Sequence, residues 1–212
     1  MSTSCGVLVS FEGVEGCGKS TLISALAQRL KALGYELTLS REPGGTEAGE
    51  RIRDLVLDTR HAQLSALSEL FLMLAARAQL VSEVLRPALA RGEIVLLDRY
   101  GDASCAYQGK GRGLGIERVE ELNELATGGL VPDLTFLVDL SPAEGRARMG
   151  DRQRDRMERE ESEFHERVRA GYLELAQRHP RRFRVLDGRL SKEALQEEAW
   201  AHLNERLPEA RA

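Results

Sequence analysis

The chain has 212 residues, is 42% hydrophobic and carries a formal charge of −4, which suits one globular domain over residues 1–212. The negative charge argues against a general nucleic-acid binder, and no apolar stretch is long enough to span a bilayer. The first ten residues do not resemble a signal peptide, and three widely spaced cysteines, Cys5, Cys17 and Cys105, suggest neither a disulfide framework nor a zinc site, so we expect a cytoplasmic protein.

Short apolar runs rich in β-branched residues alternate with helical patterns along the chain. Near-continuous apolar character over so few residues fits strands that are buried on both faces, as in a parallel sheet. The predicted strands are 6–11, 36–41, 93–98, 133–140 and 182–187. The predicted helices are 20–33, 67–91 with a break near Pro87, 116–126, 142–149, 157–178 and 191–206. The alternation predicts an α/β fold with right-handed crossovers.

Two segments fit neither the strand pattern nor the helical pattern. Residues 100–115 are dense in glycine, and residues 145–160 are dense in arginine. Because ligands of open parallel sheets bind beyond the carboxyl ends of the strands, we expect the chemistry in loops at those ends.

A phosphate-binding pattern, G-x-x-x-x-G-K-[ST], occurs as GVEGCGKS between the first predicted strand and helix. Its glycines let successive backbone N–H groups surround a phosphate, and the following helix adds the positive end of its dipole. Lys19 can reach the β- and γ-phosphates, and the Ser20 hydroxyl can hold Mg²⁺. The residues predicted to bind nucleotide phosphates are Gly13, Val14, Glu15, Gly16, Cys17, Gly18, Lys19, Ser20 and Thr21.

This P-loop is shared by GTPase switches, motor ATPases and small-molecule kinases, so it does not name a reaction. The sequence has no NKxD-type guanine reader, which argues against a GTPase. Motor ATPases usually have adjacent acids at the end of an apolar strand, whereas here a single aspartate, Asp98, is followed by Arg99 and Tyr100. This pattern favours a phosphate acceptor beside the P-loop over a catalytic water.

Three more motifs, REPGGT (41–46), LDRY (97–100) and AYQGKGRG (106–113), together with the arginine-rich segment, make the chain resemble bacterial thymidylate kinases over nearly its whole length. The resemblance implies a three-layer P-loop NTPase fold, with a five-stranded parallel sheet flanked by helices and a small arginine-rich lid at about 145–157. It also implies a homodimer that transfers the γ-phosphate of ATP to dTMP, with Mg²⁺, giving ADP and dTDP for dTTP synthesis.

A nucleoside monophosphate carries about two negative charges, so its site needs fixed cations that orient one oxygen towards the γ-phosphorus. Arg99 directly follows the strand-end residue Asp98, and the corresponding arginine of the family bridges donor and acceptor phosphates. Asp98 is then a partner either for a Mg²⁺-bound water or for the orienting arginines. Lys19, Asp98 and Arg99 are the predicted catalytic residues, and Ser20 and Asp98 are the predicted metal ligands.

The resemblance also assigns the acceptor site. It directs Glu15 at the acceptor sugar and places Arg53 and Arg77 on the base side, where Arg77 would donate hydrogen bonds to a thymine carbonyl. The Tyr107 ring crowds the 2′ carbon and disfavours a ribose hydroxyl. The residues predicted to bind dTMP are Glu15, Arg41, Glu42, Arg53, Met73, Arg77, Arg99, Ser104, Tyr107, Gln108, Asp155 and Glu158.

One residue departs from the family pattern. The family usually has a phenylalanine four residues before the base-side arginine, where its ring stacks on thymine. This chain has Met73 at that position, and Phe71 lies two residues earlier. A thioether packs less rigidly on a base than an aromatic ring does, so we expect weaker or less strict base binding; Met73 equally suits an ordinary core position.

The arginine-rich segment has two parts. Residues 157–169 read as a solvated helix with i,i+4 ion pairs, whereas 148–156 suit a flap that meets the charge of the transferred group. The P-loop has Cys17 where some thymidylate kinases have a basic residue, so we expect the lid to supply the cation. The candidates are Arg148, Arg152, Arg154 and Arg156, and the sequence does not choose among them.

Two alternative functions remain: another nucleotide or deoxynucleoside kinase, and a P-loop regulator that binds ATP without phosphorylating a small molecule. A nucleoside acceptor needs a base to deprotonate its 5′ hydroxyl, whereas a monophosphate needs arginines, so the arginine set favours the monophosphate. In a regulator that does not phosphorylate a small molecule, Arg99 and Tyr107 would have no function. The expected partners are ATP and dTMP, with no nucleic acid and no membrane.

Overall fold

The computed structural model describes residues 6–150 and 155–207, which include a five-stranded parallel sheet. Its strands are β1 (Val7–Glu12), β2 (Leu37–Arg41), β3 (Ile94–Asp98), β4 (Leu134–Asp139) and β5 (Phe183–Asp187). Every pairing is parallel, and the strand order is β2-β3-β1-β4-β5. The five predicted strands are confirmed, with each end within one residue of its predicted position.

The helices of the described ranges are α1 (Lys19–Ala32), α2 (Glu47–Leu57), α3 (Ala66–Leu80), α4 (Arg86–Ala90), α5 (Gly101–Ser104), α6 (Ile116–Thr127), α7 (Pro142–Met149), α8 (Ser162–Arg178) and α9 (Lys192–Asn204). A 3₁₀ turn covers Thr59–His61, and π-helical turns cover Val81–Leu85 and Cys105–Gly111. No helix in these ranges is long and apolar enough to cross a membrane.

Alternate residues of each buried strand face opposite layers of helices. Val9 and Phe11 of β1 pack on one face against α1 and α9. Leu8 and Val95 pack on the other face against the helical stretch 80–89, and Leu137 packs there against α3, α6 and α8. This two-sided burial explains the near-continuous apolar strands and produces the predicted three-layer fold.

Two helical segments were not predicted. Thr46 caps α2 by accepting a hydrogen bond from the Gly49 amide at 3.0 Å, a cap signal that the sequence does contain. Residues 101–111 were read as a glycine-rich loop, and this was wrong. Their glycines let helices approach closely, because a Cβ on Gly111 would lie 2.7 Å from the Phe164 ring.

Two predicted helices also have different limits. The predicted helix 67–91 consists of α3, a π-helical turn and α4, so the irregularity precedes Pro87, which lies in the first turn of α4. The predicted helix 157–178 begins only at Ser162. Residues 156–159 form a turn instead, which is attached to the end of α2 because the Arg156 amide donates to the Leu57 carbonyl at 3.0 Å.

The strand register places the ends of three strands side by side. Arg41, at the end of β2, pairs with Asp98, at the end of β3, and Asp98 pairs with Phe11 of β1. The segments that follow these residues are the REPGGT loop, Arg99 and the P-loop. The fold therefore brings three motifs that are distant in sequence to one carboxyl edge of the sheet, as expected for an open α/β sheet.

Candidate active site

The P-loop owes its shape to its glycines. Gly13, Gly16 and Gly18 have φ values of 135°, 74° and 107°, which disfavour residues with a side chain. A Cβ on Gly16 would lie 2.2 Å from the carbonyl oxygen of Gly145, so the loop packs directly on α7. Among the described residues no side chain caps α1 at Gly18, which leaves the first amides of the helix for another acceptor, such as a phosphate.

The Lys19 ammonium lies across this loop. Its Nζ donates to the carbonyl oxygens of Gly13 at 3.0 Å and Val14 at 3.1 Å, and only 8% of the residue is exposed. A buried ammonium on these carbonyls is already confined to the loop that would surround the phosphates.

A pair of oxygen ligands lies at the first turn of α1. Ser20 Oγ donates to Asp98 Oδ2 at 3.3 Å, and Ser20 is exposed. Hydroxyl and carboxylate oxygens suit Mg²⁺, which usually keeps several waters and phosphate oxygens in its shell. No group of three or more potential His, Cys, Asp or Glu ligands occurs among the described residues. The donor set therefore fits a Mg²⁺ ion that arrives with a nucleotide.

Arg99 has the only positive φ, 69°, among the described non-glycine residues. Its amide donates to the Phe11 carbonyl at 3.0 Å, which attaches the turn to β1. One guanidinium nitrogen, Nη2, donates to Glu15 Oε1 at 2.9 Å, and Nη1 donates to the Tyr172 hydroxyl at 2.9 Å. An arginine has five N–H donors, and the hydrogen bonds of Arg99 to Glu15, Tyr172 and the Tyr107 hydroxyl use three of them. Arg99 can therefore still bind a phosphate.

Glu15 connects the P-loop with the acceptor side. The Tyr107 hydroxyl donates to Glu15 Oε1 at 2.6 Å, and His165 Nδ1 lies 3.9 Å from Glu15 Oε2. Burial alone would raise the pKa of Glu15, but Arg99, Lys19 and the Tyr107 hydroxyl outweigh burial and keep the pKa below its usual value. Glu15 is therefore an anionic acceptor that can receive a hydrogen bond from a hydroxyl.

A cavity of about 170 Å³ lies between the P-loop and the REPGGT loop. The predicted acceptor residues line it, with the exception of Gln108. The cavity residues are Glu15, Arg41, Glu42, Pro43, Arg53, Leu57, Met73, Arg77, Asp98, Arg99, Ala103, Ser104, Tyr107, Asp155, Met157 and Glu158. Pro43, Leu57, Ala103 and Met157 were not anticipated, and Leu57 belongs to the helix that the sequence analysis missed.

Gln108 lies behind this cavity. It is fully buried, and its Nε2 donates to Glu69 Oε1 at 2.8 Å. The π-helical turn at Cys105–Gly111 directs the side chain of Gln108 towards α3 while Tyr107 remains at the cavity. The structure therefore does not place Gln108 with the other predicted acceptor residues, because the helical geometry of this stretch was not foreseen.

Arg77 is at the closed end of the cavity, and all five of its N–H groups have acceptors. Nε and Nη2 donate to Glu42 Oε2 at 2.8 and 2.5 Å, Nη2 also donates to the Tyr100 carbonyl, and Nη1 donates to Ser104 and Asn123. Donation to a thymine carbonyl would require Arg77 to release one of these acceptors. The other Glu42 oxygen, Oε1, is buried and has no hydrogen-bond partner among the described residues.

Of the four lid arginines, Arg152 and Arg154 lie outside the described residues. Arg148 is at the end of α7, where its Nη1 donates to the Gly188 carbonyl at 2.8 Å. Arg156 has a 6% exposed side chain that pairs with Glu69 at 2.6 Å and donates to the Val56 carbonyl at 2.7 Å. The Arg156 guanidinium is thus committed to a buried ion pair and holds the turn at 156–159 against α2.

Two residues beside Arg99 were missed. Glu12 ends β1 and is completely buried, and Tyr172 of α8 connects it to the Arg99 guanidinium. The sequence did contain one signal, because a carboxylate at the end of an otherwise uncharged buried strand requires a specific partner. The partner, 160 residues away, could not be read from the sequence.

Comparison with known proteins gives a consistent result. The family model described as "Thymidylate kinase" matches residues 11–199. A thymidylate kinase of Deinococcus radiodurans is 50% identical over 96% of this chain and 98% of its own length, and one of Pseudomonas putida is 49% identical over 93% and 95%. The crystal structure of thymidylate kinase from Ehrlichia chaffeensis superposes with a TM-score of 0.77 at 30% identity, covering 94% of this chain and 99% of that one.

Proposed function

Because the chain belongs to the thymidylate kinase family, we propose that the cleft between the P-loop and Arg99 is where the γ-phosphate of ATP passes to dTMP. The protein is a phosphotransferase that acts on dTMP with ATP as the phosphate donor, giving dTDP and ADP. The observation that best supports the proposed site is the placement of Arg99. It lies beside the P-loop, is hydrogen-bonded to Glu15 at 2.9 Å and lines the acceptor cavity.

In the proposed mechanism the P-loop amides and Lys19 hold the β- and γ-phosphates of ATP. Arg99 holds the dTMP phosphate and directs one anionic oxygen at the γ-phosphorus, so that no base is needed to create the nucleophile. The new P–O bond forms as the bond between the γ-phosphorus and the β–γ bridging oxygen breaks, and the ADP oxygen takes the electron pair. Lys19 and Arg99 stabilise the charge on the transferred group from its two sides.

We assign Mg²⁺ to Ser20 and Asp98. A bound Mg²⁺ supplies positive charge to the donor phosphates and fixes their geometry. The support is the oxygen pair at 3.3 Å described above. Activity should be lost on chelation with EDTA and regained with Mg²⁺, and Asp98→Asn should raise the Mg²⁺ concentration needed for half-maximal rate. Activity that is unchanged in EDTA would contradict this assignment.

The acceptor cavity is proposed to bind dTMP in a fixed orientation. Arg41, Glu42 and Arg53 lie at the REPGGT end of the cavity, and Arg53 Nη1 donates to the Pro43 carbonyl at 2.9 Å. Glu15, with Asp155 and Glu158, is at the sugar. Met73, Arg77 and Ser104 enclose the base, and Tyr107 faces the 2′ position. Gln108 is left out, because it lies behind the cavity.

A lid at about 145–157 is proposed to supply a further cation to the transferred group. Arg148, Arg152 and Arg154 remain the candidates, because Arg156 is committed to its ion pair with Glu69. Single alanine variants should identify the residue through a loss of kcat without a loss of dTMP affinity. If all three variants kept full kcat, the proposal of a lid cation would be abandoned.

The substrate assignment is tested by turnover with ATP and one acceptor at a time: dTMP, dUMP, thymidine, AMP or none. Rapid ADP formation with dTMP, and little with thymidine or AMP, is expected. Preference for thymidine would favour a nucleoside kinase. ATP hydrolysis that no acceptor accelerates would favour a regulatory ATPase and would contradict the proposed function.

We further propose a homodimer that uses an apolar face of α3. Leu67 and Phe71 are 47% and 53% exposed and lie four residues apart, on one side of the helix. Exposed large apolar side chains at this spacing are typical of an interaction surface. Phe71→Glu should convert the dimer to a monomer in analytical ultracentrifugation. Leu33→Glu, at an equally exposed leucine (53%) at the end of α1, should leave the dimer intact.

Action in the cytoplasm, on free nucleotides and without nucleic acid, also stands as a proposal. Both substrates are charged and do not cross a bilayer unaided, so the enzyme needs to share their compartment. The formal charge of −4 disfavours non-specific DNA binding. Cell fractionation and an oligonucleotide filter-binding assay at low salt would test the two parts separately.

A further inference from the structure

The completely buried Glu12 side chain has no part in the mechanism above, yet both of its oxygens are bonded to the surroundings of Arg99. Oε1 accepts a hydrogen bond from the Tyr100 amide at 2.7 Å, and Oε2 accepts one from the Tyr172 hydroxyl at 2.9 Å. Glu12 does not line the acceptor cavity. Any effect on catalysis would therefore be exerted through its partners.

The first partner acts on the backbone of Arg99. This residue has a φ of 69°, a left-handed conformation that is unfavourable for a residue with a side chain. The two amides that flank the Arg99 α-carbon are both held by β1, since Arg99 N donates to the Phe11 carbonyl and Tyr100 N donates to Glu12. Glu12 thus supplies one of the two bonds that hold the turn in this conformation.

The second partner acts on the guanidinium of Arg99. Tyr172 is 1% exposed, and its hydroxyl accepts a hydrogen bond from Arg99 Nη1 at 2.9 Å. A hydroxyl has a single proton to donate. When Glu12 is ionised, that proton is directed at Glu12 Oε2, so a lone pair of the Tyr172 oxygen remains for Arg99. Glu12 therefore sets the orientation of the hydroxyl that holds the guanidinium.

We propose that Glu12 and Tyr172 are positioning residues that hold Arg99, by backbone and by guanidinium, in line between the donor and acceptor phosphates. The inference rests on the proposed function, because it assumes that Arg99 binds the acceptor phosphate. Small displacements of an orienting cation reduce phosphoryl transfer strongly and nucleotide affinity weakly. The pair should consequently affect kcat much more than the KM for ATP.

The test is a double-mutant cycle between Tyr172→Phe and Arg99→Ala, with initial rates measured at saturating ATP and dTMP and at about pH 9, where Glu12 is ionised. Tyr172→Phe keeps the ring and removes only the hydroxyl. It should lower kcat by about ten- to a hundred-fold and leave the KM for ATP within about twofold. In the Arg99→Ala background the same change should have no further effect on kcat, because the residue it positions is gone.

Two further variants keep the test independent of folding. Tyr35→Phe removes a phenol hydroxyl at the amino end of β2, whereas Arg99 follows the carboxyl end of β3. This control variant should leave kcat unchanged. Glu12→Gln leaves one oxygen to accept from either the Tyr100 amide or the Tyr172 hydroxyl. It places an NH₂ group, which cannot accept, against the other of these two donors. It should reduce kcat at least as much as Tyr172→Phe, measured at a temperature where thermal melting shows the variant to be folded.

The outcomes separate the two claims. If Arg99→Ala keeps wild-type kcat, the proposed role of Arg99 and the positioning inference both fail. If Arg99→Ala is inactive but Tyr172→Phe keeps wild-type kcat, or if the two losses multiply independently, only the positioning inference is overturned.

Discussion

The guanidinium of Arg99 lies 2.9 Å from the carboxylate of Glu15, and the two side chains are only 17% and 18% exposed. This ion pair joins the end of β3 to the P-loop, so the residue proposed to bind the acceptor phosphate is attached to the loop proposed to hold the donor. A partly buried pair of this kind restricts both side chains more than an exposed pair does. The pair thus holds Arg99 in a fixed position relative to the P-loop, which is what in-line transfer between two anions requires.

Removal of the P-loop cation should nearly abolish the reaction. Lys19→Ala is expected to lower kcat by roughly three powers of ten, since one well-placed cation in a phosphoryl-transfer site contributes on that scale. Steady-state ADP formation with dTMP measures the loss. Lys31→Ala, on the exposed face of the same helix, is the control and should keep wild-type kcat. A Lys19→Ala enzyme within tenfold of wild type would contradict the P-loop assignment.

Sugar selection should depend on the bulk of the Tyr107 ring. Tyr107→Ala is expected to lower the ratio of kcat/KM for dTMP over its ribonucleotide counterpart by about tenfold or more, because the space at the 2′ carbon is then open. Tyr107→Phe keeps the ring and loses the hydrogen bonds of the hydroxyl to Glu15, at 2.6 Å, and to Arg99, so this ratio should stay near that of wild type. The idea fails if Tyr107→Ala still rejects the ribonucleotide.

Burial of Glu12 should make stability depend on pH. Burial, and then the charge of Asp102, raise the pKa of Glu12 from 4.5 to about 8, against opposing effects of Arg99 and of hydrogen bonds from Tyr172 and Tyr100. Arg182 also lies near this carboxyl group. Between these pH values the folded protein holds a proton that the unfolded chain releases. The free energy of unfolding should therefore fall as pH rises from about 4.5 to 8, by about 1.4 kcal/mol per pH unit from this group.

Urea unfolding at several pH values in this window measures that slope. Glu12→Gln cannot titrate, so the wild-type curve should lose stability more steeply with rising pH than the variant curve. Glu47→Gln, at an exposed position on α2, is the control and should follow wild type. Parallel curves for wild type and Glu12→Gln would show that Glu12 does not take up a proton on folding.

The two described lid arginines should behave differently. Arg156→Ala leaves Glu69 buried with one partner fewer and should lower the free energy of unfolding by roughly 3 kcal/mol, near the low end for a broken buried pair because Arg112 also pairs with Glu69. Arg148→Ala removes one bond to the Gly188 carbonyl and should lower it by about 1 kcal/mol. Chemical denaturation compares the two; similar losses would contradict a structural role for Arg156.

Much of the fold was accessible from the sequence because its strongest signals are local. Buried parallel strands are short apolar runs, so their ends were predicted to within one residue. The P-loop is a contiguous motif, so it was found from its pattern alone. The stretch 101–111 was misread because its glycines serve close helix packing, and that depends on Phe164 and other partners distant in sequence. Glycine density alone does not distinguish a loop from a tightly packed helix.

The candidate site was predictable to a similar extent and for similar reasons. Residues at strand ends, such as Asp98 and Arg99, follow from the register of a parallel sheet. The side chains of Gln108 and Arg156 do not lie where the sequence predicted them. Helical phase and a buried partner, Glu69, direct them away from the cavity. Glu12 was missed because its importance comes from tertiary contacts that no local pattern reveals.

The most direct test of the central claim is a crystal structure with a bisubstrate analogue, in which adenosine and thymidine are joined through a chain of phosphates. The adenosine-side phosphates should contact Lys19 and the P-loop amides. The thymidine-side phosphate should contact Arg99, with the base in the cavity beside Met73 and Ser104. A thymidine moiety outside that cavity, or an Arg99 side chain turned away from both phosphates, would contradict it.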